Sequence, residues 1–193
     1  MDYPATFELD APEEVANWRP LVQWLLAIPH LLIANVLSQV GNVIAIISWF
    51  AIVFTGNLPE GLANFQCLVI RYQTRAYTYA GFLREGYPPF EFPMAPADDD
   101  RDPAKVGLTT QLTDRNRLTV GLRIIWIIPI ALYTIVMAIA AFFVYIAAFF
   151  AVLFTGHWPS GMRTFVIGVT RLGVRVQAYG RLLVDEYPPF SLT

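Results

Sequence analysis

Between Arg19 and Glu60, and again between Arg123 and Arg163, the chain carries no charged side chain. Charged residues fill 15% of its 193 positions against 56% hydrophobic ones, and the mean hydropathy is +0.50. Soluble domains are about 25% charged, so this scarcity excludes an ordinary soluble domain and points to a membrane. A helix of roughly 20 apolar residues crosses a bilayer; each uncharged run suffices for one crossing with a surplus, and is too short for two crossings and a turn. The acidic opening "MDYPATFELDAPEE" has no basic n-region, so the first apolar segment is expected to stay in the mature protein.

Other absences narrow the chemistry. The one cysteine, Cys67, excludes an internal disulfide and a cysteine-based metal cluster, and reads as a small packing residue. The two histidines, His30 and His157, stand outside any His-x-x-x-His or Glu-x-x-His spacing, so no metal or haem site is expected. There is no glycine-rich phosphate loop, no serine nucleophile elbow and no acidic pair within an apolar run. The expectation is a protein that is not an enzyme and has no cofactor. Lysine is nearly missing, with Lys105 alone beside twelve arginines, and the net charge of -2 gives no reason to expect a nucleic-acid partner.

What the chain has in abundance is itself, twice. Shifted by 100 positions, Pro29–Phe90 aligns without gaps on Pro129–Phe190 with 21 identities in 62 pairs, which marks an internal duplication. The shared frame is Pro29, "FAIVFTG" (Phe50–Gly56) against "FAVLFTG" (Phe150–Gly156), Pro59, Gly61, Phe65, Arg71, Arg75, Tyr79, Leu83 and "YPPF" (Tyr87–Phe90), each with its partner 100 residues on. Two units follow, 1–97 and 98–193.

Each unit reads as strand, apolar helix, tight turn, amphipathic helix and YPPF exit. Period-2 alternation in "YPATFELD" (Tyr3–Asp10) and "VGLTTQLT" (Val106–Thr113) predicts a short strand at the head of each. Glu91–Gly107, rich in proline and charge, predicts an exposed, poorly structured linker. A helix over about 20–54 would exceed the hydrocarbon core, so a bend is expected at Pro29 and at Pro129, leaving Leu31–Phe54 as the span. Gly56 and Gly156 should cap the helices, and Pro59 and Pro159 should open the next ones. The double proline of YPPF forbids further helix and ends the unit. Trp18, Trp24, Tyr87, Phe90, Tyr187 and Phe190 are expected to anchor at the membrane surface.

Two clusters are candidates for function. Arg71 with Arg75 and Arg171 with Arg175 recur in both units, with Tyr79 and Tyr179 one turn further on the same face. Arginine at membrane depth must face a partner, a wet cavity or lipid phosphate. These residues therefore either snorkel to headgroups or contact an anionic lipid or a partner subunit, with in-chain partners limited to carbonyls at helix ends and to acids in loops or near the helix exits, such as Glu85 and Asp185. Asn35, Ser38, Gln39 and Asn42 form a polar stripe in unit one alone, against Ile135, Ala138, Ile139 and Phe142 in unit two; such amides join helices or line a polar path. Most basic residues lie toward the linker and tail. The positive-inside rule then puts both termini in the cytoplasm and both FTG turns outside, with each second helix crossing back; the alternative lays the second helices along the interface.

The stretch "RPLVQWLLAIPH" (Arg19–His30), "FAIVFTGNLPEG" (Phe50–Gly61), the R-x-x-x-R helix and YPPF resemble an uncharacterised bacterial membrane family, common in actinobacteria and described only as a domain of unknown function. The similarity covers nearly the whole chain as two units, and unit two departs at its lead-in, which lacks the Pro-Leu and His positions. The resemblance implies a small integral membrane protein and supplies no activity. The combined expectation is an all-α protein of a bacterial inner membrane, with four membrane helices and short strands on the cytoplasmic side. Its partners are expected to be other membrane subunits and phospholipids, with a homo-oligomer left open. The function expected first is that of an accessory or scaffold subunit, and second that of a lipid- or solute-handling protein.

Overall fold

The sequence builds two helical hairpins that exchange strands. In the computed structural model, which describes residues 3–95 and 101–193, the order is β1 (Ala5–Leu9), α1 (Arg19–Leu26), α2 (Ile28–Thr55), α3 (Glu60–Ala80), β2 (Ala104–Leu108), α4 (Arg117–Gly121), α5 (Arg123–Trp126), α6 (Ile128–Thr155) and α7 (Ser160–Gly180). Two of these helices are long and apolar enough to cross a membrane, one formed by α2 and one by α6 with its lead-in.

The turns follow their local chemistry. Gly56 and Gly156 close α2 and α6 in the left-handed region, at φ 78° and 70°, where a side chain would be strained. Pro59 and Pro159 stand at the N-cap, just ahead of α3 and α7. The break between α1 and α2 falls at Ala27, and Pro29 sits in the first turn of α2. The expected bend at Pro29 is therefore a helix start, where the missing N–H costs nothing; Pro129 repeats this in α6.

In each hairpin the second helix runs back along the first. Gln73 Nε2 donates to Ala34 O at 3.5 Å and Gln66 Nε2 to Gly41 O at 2.6 Å, so advance along α2 matches retreat along α3. The two hairpins then lie antiparallel. Ala63, Cys67 and Ile70 of α3 share a core with Val174 and Ala178 of α7 and with Leu182 and Leu183 beyond it. At the other end Phe82 and Leu83 pack with Val166 and Trp158. Full burial of each such apolar side chain contributes about 2 kcal/mol.

The FTG turns consequently occupy opposite ends of the molecule. Arg115 N donates to Gly56 O, and its guanidinium reaches Leu182 O past the end of α7. Val15 N donates to Gly156 O, while the next residue's N–H reaches Glu85 past the end of α3. Both turns were expected to project on one side with the strands on the other. Instead each turn is held by the segment that follows the other unit's strand.

The strands pair with each other, antiparallel, Phe7 opposite Val106 and Glu8 opposite Lys105. Flanking bonds from Asp10 N to Pro103 O and Thr109 N to Pro4 O place the ladder on the even residues of β1, so Phe7 and Val106 turn their carbonyls to the outer edges. The second strand was expected over Val106–Thr113; it spans Ala104–Leu108, because the buried alternation is Ala104, Val106 and Leu108. The linker is correspondingly shorter than Glu91–Gly107, and its Asp102 is 4% exposed; the rest of that charged run includes 96–100, outside the described residues. The second helices also stop before YPPF. Phe82 and Leu182 adopt φ 46° and 64°, and Leu83 N and Leu183 N bond back to Thr78 O and Ala178 O, a left-handed helix stop made without glycine.

Candidate functional site

The repeated arginines lie on the face of α3 and α7 that carries the sheet. Arg71 lies near the middle of α3, and it is 2% exposed. Its Nε donates to Val106 O at 3.3 Å and its Nη1 to Ala95 O at 2.5 Å. Arg171 repeats the arrangement, with Nε on Phe7 O and Nη1 on Leu192 O, each at 3.1 Å. Both guanidinium groups thus cap outward carbonyls of the two strands and hold the extended segment that follows YPPF. A capped edge is closed to a further strand.

The next pair differs between units. Arg75 Nε lies 3.9 Å from Asp102 Oδ2, and Arg84 Nη1 lies 2.5 Å from Asp102 Oδ1, with all three side chains at most 5% exposed. Asp102 also accepts from Ala104 N at 2.8 Å and so starts β2. Arg175 instead donates to Ser191 O at 3.3 Å and Thr193 O at 2.7 Å. The strand offset puts Tyr3 where Asp102 would stand, and its hydroxyl donates to Glu186 O at 3.0 Å. The four arginines, expected at lipid headgroups or a partner, are turned inward onto these groups.

Unit two keeps its carboxylate elsewhere. Asp185 Oδ1 accepts from Arg115 Nη2 and Arg123 Nη2, each at 2.7 Å, and Oδ2 from Asn116 N at 3.0 Å. Burial opposes ionisation of Asp185, but the hydrogen bond and charge of Arg115, the Asn116 N–H and the Arg123 charge outweigh it and hold the carboxyl below its usual range. Arg123 also stacks over the Tyr179 ring at 3.8 Å. Its counterpart Gln23 bonds the carbonyls of Tyr79 and Arg84. Tyr79 and Tyr179, 1% and 3% exposed, pack edge-on against Tyr87 and Tyr187.

The polar stripe divides. Ser38 Oγ and Gln66 Oε1 receive Arg181, at 3.1 and 2.9 Å, and Gly41 leaves the room it occupies: a Cβ there would meet Arg181 Nη1. Asn35, Gln39 and Asn42 lie exposed on the same flank of α2. In unit two the corresponding space beside Gly81 is filled by the ring of Tyr145. His30 is buried, with Nδ1 2.8 Å from Tyr72 Oη and its ring stacked on Phe90 at 4.1 Å. Trp18, Trp24, Tyr87, Phe90, Tyr187 and Phe190 are between 37% and 56% exposed.

The pattern "R-x-x-x-R" was visible in the sequence, whereas Asp102, Arg84, Arg115, Arg123, Arg181 and Gln66 were not singled out as a network. The one available signal was the alignment of Asp102-Pro103 with Tyr3-Pro4 at the head of each strand. Among the described residues no group of three or more His, Cys, Asp or Glu is placed to hold a metal ion.

A duplicated two-helix unit with inward arginines defines a class before it defines a member. The chain belongs to the family described as a domain of unknown function (DUF4389), which matches it twice, at residues 17–91 and 117–191. Those bounds begin after the strands, so the matched unit is the hairpin with its lead-in helix. No curated protein and no solved structure matches the chain.

Proposed function

We propose that this chain is a non-enzymatic accessory or scaffold subunit of a membrane protein complex. The observation that carries the proposal is the use made of the polar groups. Arg71, Arg75, Arg171 and Arg175 direct donors to backbone carbonyls, to Asp102 and to the tail, while the surface left outward on α2 and α6 is uncharged and, apart from Asn35, Gln39 and Asn42, largely apolar. A protein built this way offers shape and a membrane-seated platform. The strands are less suited to augmenting a partner's sheet, since arginine caps both edges. A second reading, lipid or solute handling, draws on the cleft lined by Thr6, Glu8, Thr164, Arg171 and Arg175. Mild-detergent purification at native abundance followed by mass spectrometry separates the two. The scaffold reading expects a partner protein at fixed stoichiometry; a monodisperse single-protein oligomer carrying one lipid species would overturn it.

A further inference from the structure

We infer that α2 and α6 lie along the membrane, embedded in one leaflet, and do not cross it. This inference is independent of the scaffold reading. It starts from where the charge sits. Arg71 and Arg171 lie one residue past the centres of α3 and α7, and each bonds the central residue of a strand, Val106 or Phe7. The sheet therefore rests over the middle of both second helices. Its outer face exposes Thr6 and Glu8, with Lys105 opposite Glu8, and nearby Arg101 and Glu91 form an exposed ion pair.

Since α2 runs beside α3 over its length, a hairpin standing upright in a bilayer would carry that charged sheet to mid-depth in hydrocarbon, where an ionised side chain is strongly disfavoured. Upright hairpins would also place the two FTG turns, separated by the roughly 30 Å of a 21-residue helix, on opposite faces of the membrane. Laid flat, the same molecule has no such conflict. The sheet, the linker and both turns face water or headgroups on one side.

The other side is what acyl chains would cover. Along α2, Leu32, Val36, Val43, Ile47, Phe50 and Phe54 are 49–73% exposed, and α6 repeats this from Leu132 to Phe154. Neither helix carries a charged residue. The short lead-in helices expose Trp18, Trp24 and Trp126 beside them, the side chains suited to headgroup level. One layer of helix, about 10 Å across, fits within half of a ~30 Å hydrocarbon core.

Two measurements test this in reconstituted full-length protein. Single cysteines replace Asn57, His157 or Glu8, all exposed, and a membrane-impermeant maleimide is applied to sealed vesicles of known orientation. Cys67 is silent in this assay, because burial pushes its thiol up to about 11 against the opposing charge of Arg71. Flat embedding predicts that all three sites label from the same side. Labelling of Asn57→Cys and His157→Cys from opposite sides overturns it in favour of upright hairpins. Labelling of both from the side opposite Glu8→Cys overturns it in favour of four crossings. Nitroxides on cysteines at Val36, Val43 and Phe50, which share one face at seven-residue spacing, give the second readout. Equal depth within one leaflet is expected. A depth that deepens and then shallows along the helix, or water exposure at all three, would sink the proposal.

Discussion

The two units keep the same fold but satisfy their arginines by different means. In unit one a carboxylate from the linker, Asp102, sits between Arg75 and Arg84 with its side chain 2% exposed. Both units also carry an acid at the helix exit, but Asp185 binds Arg115 and Arg123 at 2.7 Å with its side chain 16% exposed, whereas its counterpart Glu85 meets Arg19 at 3.7 Å with its side chain 43% exposed. The hairpin contacts have diverged in the same manner. Arg181 enters unit one beside Gly41, and Tyr145 lies in unit two beside Gly81. A duplicated frame can thus change its polar partners provided each buried charge retains one. Because Arg71, Arg75, Arg84, Arg171 and Arg181 each take a partner from the other half, neither unit is complete alone.

The largest effect is expected from Asp102→Asn, which strips two buried arginines of their shared charge. Breaking a buried pair costs about 3–5 kcal/mol, read as a loss of thermal stability in micelles. Asp185→Asn should cost less, about 2 kcal/mol, because water reaches the more exposed site and replaces part of the interaction. Asp185 adds an acid response of its own. Its folded-state pKa lies below the unfolded value of about 3.9, so its contribution is complete above about pH 4 and is lost as pH falls through the folded value. Asp185→Asn should flatten that acid limb of a stability-against-pH curve. An unchanged limb would assign the response elsewhere.

Next comes a conversion of one unit into the other. Arg181→Gly should cost about 2–4 kcal/mol by leaving a void and a Gln66 Oε1 without its donor. Adding Ala45→Tyr, the counterpart of Tyr145, should recover part of the loss, and a double-mutant cycle reads the coupling. Strict additivity would show that the two packings are not equivalent. The smallest effect is expected where the units agree. Gly56→Ala and Gly156→Ala should each cost about 1–2 kcal/mol from the left-handed backbone. A Cβ also crowds Arg117 at one turn and Asn17 at the other, so a large gap between the two variants would show that these neighbours, and not the backbone, set the cost.

Local grammar was legible without coordinates. The FTG stops, the prolines ahead of the second helices, the duplication and the two apolar helices all follow from rules that act within a few residues. The register of β2 was misplaced because "VGLTTQLT" alternates as well as the true strand does, and only burial of Ala104 separates them. The helix stop was assigned to YPPF, yet α3 ends at Ala80 and Phe82 takes the turn. Phe82 tolerates φ 46° because its ring stacks on Trp158 at 5.1 Å and its carbonyl accepts the Trp158 indole N–H at 2.8 Å. No window around residue 82 contains that information.

By itself the sequence determined two apolar helices, their caps, the repeated frame and the scarcity of charge, since each is set by neighbours along the chain or by composition. The tertiary structure decided what the arginines are for and how the apolar helices are presented. The reason is distance: Arg71 meets Val106, Arg171 meets Phe7 and Arg181 meets Ser38, pairs separated by 35 to 164 residues and joined only when the two hairpins lie antiparallel beneath one shared sheet.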